Sequence, residues 1–149
     1  MALKRNSKRV DDGDRFLVSI GAMMRQWVIG LAVSVIAGGI FTWLFLKGLR
    51  WQFDVPSNQP KGIPSWLTGV VERIFFTVII GLGVQDVPTT MIAWLGVKLA
   101  ANWNHPDWQD KPNARTFAFA ALLAGLVSML FAFIGGLICA GKLWLGRFY

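Results

Sequence analysis

The chain has 149 residues, of which 54% are hydrophobic, and it carries a formal net charge of +7 at pH 7. This apolar content and a mean hydropathy of +0.49 are too high for most soluble domains of that size. A lipid bilayer is therefore the expected solvent, and an unusually apolar soluble bundle is the minor alternative. The one cysteine, Cys139, excludes an internal disulfide and a cluster of thiolate ligands. The sequence predicts a single membrane domain over residues 1–149.

The N-terminal segment carries an excess of basic residues. Six lysines and arginines precede the first long apolar stretch: Lys4, Arg5, Lys8, Arg9, Arg15 and Arg25. By the positive-inside rule they place the N-terminus in the cytoplasm, and anionic lipid is their expected partner. Nucleic acid is not expected, because the basic run at 1–10 has no interleaved aromatic residues and an acidic run at 11–14 follows at once.

The first membrane helix is predicted from the longest uncharged stretch near the N-terminus. Residues 1–13 form a polar tail. Beyond it, apolar residues recur at helical spacing: Phe16, Ile20, Met23 and Trp27. This spacing predicts a short amphipathic helix on the cytoplasmic surface, or the first turns of the membrane helix itself. No charge occurs between Trp27 and Leu46, so a transmembrane helix is predicted over residues 26–46.

Two segments rich in proline and tryptophan, 47–65 and 104–114, are predicted to be external loops at the membrane interface. The second contains the only histidine, His105, together with Asp107 and Asp110. A metal site needs three or four convergent ligands, and this loop supplies one imidazole and two carboxylates; Trp103 and Trp108 favour an interfacial loop over a metal site. We therefore expect no metal and no cofactor.

A helical hairpin is predicted between the two loops, with arms at 66–84 and 88–104. Its turn contains Gln85, Asp86 and Pro88; Asp86 is a candidate N-cap and Pro88 suits the first turn of a helix. Two antiparallel spans are the favoured geometry, which gives about four transmembrane helices in all. A re-entrant hairpin with its turn near mid-membrane, and a pair of helices lying on the surface, are the alternatives.

Three charged residues lie within the arms of this hairpin: Glu72, Arg73 and Lys98. Counted from the turn at a rise of about 1.5 Å per residue, they fall at a similar depth. A carboxylate that faces a cation of the neighbouring helix is tolerated in hydrocarbon far better than one alone. We predict that Glu72 pairs with Lys98 or Arg73 and fixes the register of the hairpin. An ion or proton pathway through this intramembrane charge cluster is the alternative.

A long last helix is predicted over 115–145, with the C-terminus in the cytoplasm. Small residues recur along it, mostly every fourth position: Ala121, Gly125, Ala132, Gly136 and Ala140. Such a ridge lets another helix approach closely. We expect leucine at Gly125 and Gly136 to dissociate the chain from a partner.

The sequence contains no phosphate-binding loop, nucleophile elbow or catalytic triad, so we expect no enzyme. The leading interpretation is a small all-α, multi-pass protein of the bacterial inner membrane, which acts by helix packing as a non-catalytic accessory subunit of a larger assembly. The alternative is a homo-oligomeric pore, holin-like or a defence effector, lined by Gln85, Asp86 or Glu72. A small ion or proton transporter ranks third, because few polar groups lie within the membrane segments.

Overall fold

The computed structural model describes residues 3–53, 64–103 and 114–143, and within these ranges the chain is helical and contains no strand. The helices are α1 (Leu3–Ala32), α2 (Gly38–Phe53), α3 (Ser65–Gly81), α4 (Val87–Trp103) and α5 (Ala114–Cys139); a π-helical segment, Val33–Ala37, joins α1 to α2. The prediction of an all-α chain is confirmed.

Helix α1, the π-helical segment and α2 form one uninterrupted helix, residues 3–53, which we call the long helix. The residues at both ends of the π segment, Ala32 and Gly38, keep right-handed helical dihedrals. At about 1.5 Å per residue the long helix extends for about 75 Å. The predicted loop from residue 47 is wrong in its start, because α2 continues to Phe53, and of the two alternatives for the segment after residue 13 the structure has a helix continuous with that over 26–46. No proline occurs before Pro56, so nothing in the backbone ends the helix earlier.

The hairpin turn begins with a C-terminal cap at Gly83. This residue has φ +76°, and the Val84 N–H donates to the Ile79 carbonyl at 3.1 Å while the Gly83 N–H donates to Ile80 at 2.9 Å. These two bonds define a Schellman motif, which needs a left-handed residue and therefore favours glycine. Helix α3 accordingly ends at Gly81, three residues before the predicted limit.

The last helix ends with the same motif at Gly141, which has φ +68°. The Lys142 N–H donates to Leu137 at 2.9 Å, and the Gly141 N–H donates to Ile138 at 3.0 Å. The predicted helix 115–145 is therefore too long at its C-terminal end, because the chain turns at Gly141. Of the predicted external loops, residues 54–63 and 104–113 lie outside the described part of the chain, and His105, Asp107 and Asp110 lie there with them.

Helix α5 is central and contacts α1, the π segment, α2, α3 and α4. It runs parallel to α3, because Arg73 contacts Ser128 and Thr77 contacts Ala132 in the same order along both helices. Helix α4 runs antiparallel to α5, and the ring of Trp103 near its end packs on Phe119 near the start of α5.

The long helix runs antiparallel to both α3 and α5. Its residue Gly30 lies against Gly135 and Cys139 of α5, whereas Gly38, further along, lies against Phe131. A Cβ added at Gly81, at the end of α3, would lie 3.0 Å from Trp27 Cη2. The hairpin turn, Trp27 and the end of α5 are therefore at the same end of the bundle.

The apolar core lies between α3, α4 and α5. Its buried members are Phe76, Ile80, Val87, Met91, Leu95, Met129 and Ala132. Two described stretches are long and apolar enough to cross a membrane, Arg15–Gln52 and Ala118–Cys139. The hairpin helices α3 and α4 have 17 residues each, at the lower limit for a span.

Candidate functional site: a buried polar cluster between three helices

Helix α3 places two consecutive charged residues in the interior. Glu72 is 7% exposed and Arg73 is 5% exposed. Neighbouring helical positions point about 100° apart, so the two side chains face different helices. Glu72 faces α4, and Arg73 faces the long helix and α5.

Glu72 forms an ion pair with Lys98 of α4. Lys98 Nζ lies 2.8 Å from Glu72 Oε2, and the Lys98 side chain keeps 30% of its surface exposed while that of Glu72 keeps 8%. Helices α3 and α4 touch little elsewhere, so this pair is a main link between the arms of the hairpin. The structure thus brings together two of the three residues of the predicted charge cluster, and Arg73 lies beside them with other partners.

The Arg73 guanidinium occupies a slot between the long helix, α3 and α5. Its Nη1 donates to Ser128 Oγ at 2.9 Å, and its Nε is buried without a hydrogen-bond partner. Glycines make the slot: a Cβ at Gly38 would lie 3.0 Å from Arg73 Cδ, and a Cβ at Gly69 would lie 3.6 Å from Nη1. Any residue larger than glycine at position 38 would clash with the Arg73 side chain.

Hydroxyl groups continue the cluster towards the turn end of the bundle. Thr77 Oγ1 lies 2.6 Å from Ser34 Oγ and 3.2 Å from the Ala132 carbonyl, and Ser34 Oγ donates to the Arg73 carbonyl at 3.4 Å. Ser34 and Thr77 are both fully buried. Ser34 belongs to the π segment, and such widened turns occur frequently at functional sites. Three helices are therefore joined through polar groups at one level.

Sequence reasoning did not identify the three hydroxyl residues Ser34, Thr77 and Ser128. A signal was present on α3, where Thr77 follows Arg73 by four positions and so lies on the same helix face. Ser34 and Ser128 occur singly in apolar stretches, and nothing in their spacing indicates that they meet.

The predicted turn residues Gln85, Asp86 and Pro88 lie away from this cluster. All three are exposed. Asp86 has φ +58°, and its carbonyl accepts the Thr90 N–H at 3.2 Å, which is the first hydrogen bond of α4. These residues shape the start of α4, and none of them contacts Glu72.

The small-residue ridge of α5 packs mostly within the chain. A Cβ at Gly125 would lie 2.9 Å from Leu95 Cδ2, one at Gly136 would lie 2.5 Å from Ile80 Cβ, and Ala132 is 1% exposed. Ala140 is half-buried, and Ala121 alone of the five is exposed. Leucine at Gly125 would therefore collide with α4, and leucine at Gly136 would collide with α3. Either substitution would disturb the fold of the chain itself, whether or not a partner binds there.

Helix α4 carries small residues on the face turned away from α5. Its buried line is Val87, Met91 and Leu95. The small residues of the outward face are all exposed: Thr89, Ala93, Gly96 and Ala100. A Cβ added at Gly96 would meet no atom within 4 Å. Sequence reasoning missed this face, although its members are spaced by three and four positions.

Among the described residues no group of three histidine, cysteine, aspartate or glutamate side chains could hold a metal ion. No protein-family model, curated protein or solved structure matches the chain. The fold and the site thus define an all-helical chain with two helices apolar enough to cross a membrane and a buried charged cluster where its helices meet.

Proposed function

We propose that this chain is a small multi-pass protein of the bacterial inner membrane, which works as a non-catalytic accessory subunit and docks to its partner through the outward face of α4. The observation that carries the proposal is the exposed row of small residues, Thr89, Ala93, Gly96 and Ala100. Such a row lets a second helix approach closely enough for extensive van der Waals contact, which drives association in lipid.

Membrane embedding is supported by how little of the apolar surface is covered. In the most apolar window of Arg15–Gln52 only 17% of residues are buried, and in that of Ala118–Cys139 only 44% are. A core helix of a soluble protein would be mostly buried. Large side chains such as Ile36 and Trp43 remain more than half exposed, as expected for surface that faces lipid.

The orientation that we propose for the chain in the membrane is supported by its charges and by the alternating direction of its helices. The hairpin turn, Trp27 and the C-terminal end of α5 lie at one end of the bundle, on the side of the basic N-terminal segment, and the positive-inside rule supports a cytoplasmic location for that end. Anionic lipid headgroups are the partner of that segment. With this orientation the two proline-rich segments lie outside.

The docking face is tested by substitution of Gly96 with leucine. The full chain is extracted in mild detergent, and the mass of the protein particle is measured by native mass spectrometry. We expect a heteromeric particle for the parent chain and loss of the partner in the Gly96→Leu variant, with the helix content unchanged because the substituted position is open.

The matched control is Ala121→Leu, which adds the same bulk at an exposed position of α5. A partner retained by Gly96→Leu at the parent level would contradict docking at α4. A ring of identical chains would contradict the accessory role and favour the homo-oligomeric pore. Of the three residues predicted to line such a pore, Gln85, Asp86 and Glu72, only Glu72 is buried; it is paired with Lys98, so it lends the pore model no support.

A further inference from the structure

We infer that the Arg73 slot binds a small monovalent anion of halide size, held by the guanidinium and by the hydroxyl groups of Ser128 and Thr42. The inference is independent of the accessory role proposed above. It rests on the charge balance of the cluster, on unpartnered buried donors and on room beside the guanidinium.

The cluster carries one positive charge in excess. Among the described residues at this level of the bundle there are two cations, Arg73 and Lys98, and one carboxylate, Glu72. The carboxylate lies 2.8 Å from Lys98, and the only hydrogen bond of the Arg73 side chain goes to the neutral hydroxyl of Ser128. Glu72 also attracts the adjacent Arg73, but one carboxylate cannot neutralise two cations, and an uncompensated buried charge is costly in an apolar interior. One monovalent anion restores neutrality.

Three polar groups are available to such an anion. Arg73 Nε and Thr42 Oγ1 are both buried without a partner. Thr42 lies one helical turn beyond Gly38, whose Cα approaches the Arg73 side chain, so its hydroxyl is on the face of the long helix that is turned towards the slot. Ser128 Oγ accepts from Arg73 Nη1 and keeps its own proton to donate. These donors come from three helices.

Room for the ion lies next to the guanidinium. A Cβ added at Gly39 would meet a single neighbour, Arg73 Nη2 at 3.6 Å, and one added at Gly69 would meet only Nη1 and Nη2, at 3.6 and 3.9 Å. These are ordinary van der Waals distances, so the guanidinium is not tightly packed against the backbone at Gly39 and Gly69. The single excess charge suits a halide better than a phosphate, which carries more charge.

The test measures thermal unfolding of the purified full-length protein in detergent, in sodium gluconate, chloride, bromide and sulfate at equal ionic strength. A bound ion stabilises the folded state in proportion to the logarithm of its concentration above the dissociation constant. We expect chloride and bromide to raise the midpoint relative to gluconate, by an amount that grows with the logarithm of the halide concentration, and sulfate to have no such effect.

Two variants locate the ion. Thr42→Val removes a hydroxyl that has no protein partner, and Gly39→Ala places a methyl group beside Nη2 at a tolerated distance, so both variants are expected to fold in gluconate. Thr42→Val should weaken the apparent chloride affinity by about tenfold, the effect of one hydrogen bond to a charged group, and Gly39→Ala should weaken it because the methyl group takes space beside the guanidinium. The controls are Thr90→Val on α4 and Gly48→Ala on α2, where an added Cβ meets nothing within 4 Å.

Identical midpoints in chloride and gluconate would overturn the inference and would favour a lipid phosphate or a partner's carboxylate as the counter-charge of Arg73. A halide effect that persists unchanged in Thr42→Val and Gly39→Ala would place the ion elsewhere and would also overturn it. Loss of the halide effect in both variants, with the controls unaffected, supports the site.

Discussion

At the scale of single residues, the buried charges fix the register of α3 relative to α4. Glu72 and Lys98 are separated by 26 positions, yet their side chains meet at 2.8 Å. The second carboxylate oxygen, Glu72 Oε1, is buried without a hydrogen-bond partner. Most of the interaction of this carboxylate is therefore made with Lys98, and a shift of α4 by one residue along α3 would separate the two groups.

Substitution of Glu72 by glutamine should lower the free energy of unfolding by about 2 kcal/mol, because Lys98 then faces a neutral amide in an apolar setting. The loss is smaller than for a fully buried pair, since the ammonium group of a partly exposed lysine can move towards the membrane surface. Unfolding in mixed micelles, followed by circular dichroism, measures the difference.

The control for this prediction is the double variant Glu72→Gln with Lys98→Met, which removes both charges. If the pair acts as the structure indicates, the second substitution restores most of the lost stability. A double variant as unstable as the single one would show that Glu72 acts mainly on Arg73.

At the scale of elements, two glycines with positive φ fix where α3 and α5 end. Gly83 and Gly141 each have a positive φ and each close a Schellman motif, which ends the helix. The tight turn from Gly81 to Val87 depends on the first of them. The angle between the arms of the hairpin therefore depends on the backbone conformation of Gly83.

Substitution of Gly83 by alanine should cost about 1 kcal/mol of stability, because an L-residue is strained in the left-handed region. The added methyl group itself meets no atom within 4 Å, so sterics with neighbours do not contribute. Thermal unfolding in detergent measures the loss. The control Gly48→Ala lies in the helical interior of α2 and should be neutral or slightly stabilising. Equal effects of the two substitutions would exclude strain at Gly83 as the cause.

The helices and the shared depth of the charges follow from the sequence, because hydrophobic runs, prolines and residue counts determine them. The Glu72–Lys98 contact is the outcome of one such count. The π segment does not follow, since Ser34 lies in an apolar run whose local pattern is equally compatible with a regular α-helix. Its cause is tertiary: Ser34 bonds to Arg73 and Thr77, which are about forty positions away.

The small residues of α5 show a different limit of prediction from sequence. Their spacing predicted a ridge, and Gly125, Ala132 and Gly136 do lie at close helix contacts. The spacing does not indicate whether the approaching helix belongs to the same chain or to another. In this fold the approaching helices are α3 and α4 of the same chain. Only the position of α4 in the bundle shows that no other described helix packs on its own small residues.

At the scale of the whole molecule, the helices alternate in direction, and the hairpin turn and the end of α5 share one level. The hairpin turn lies level with Trp27 and with the end of α5, where a Cβ at Gly141 would lie 3.5 Å from Gln26 Oε1. Trp27 marks the start of the longest uncharged stretch of the long helix. A turn at that level favours two complete spans for α3 and α4, because a re-entrant turn would lie near the middle of that stretch.

Single-cysteine labelling tests this topology on a Cys139→Ala background, with a membrane-impermeant thiol reagent applied to intact cells and to inverted vesicles. Gln85→Cys in the exposed turn should react from the cytoplasmic side, together with Lys142→Cys, because both positions lie at the same end of the bundle. Trp66→Cys, at the start of α3, should react from the opposite side. Cys139 itself is buried, so it contributes little to the labelling signal. Labelling at Gln85→Cys from the same side as Trp66→Cys, or from neither side, would contradict two full spans and favour a re-entrant hairpin or a pair of helices lying on the surface.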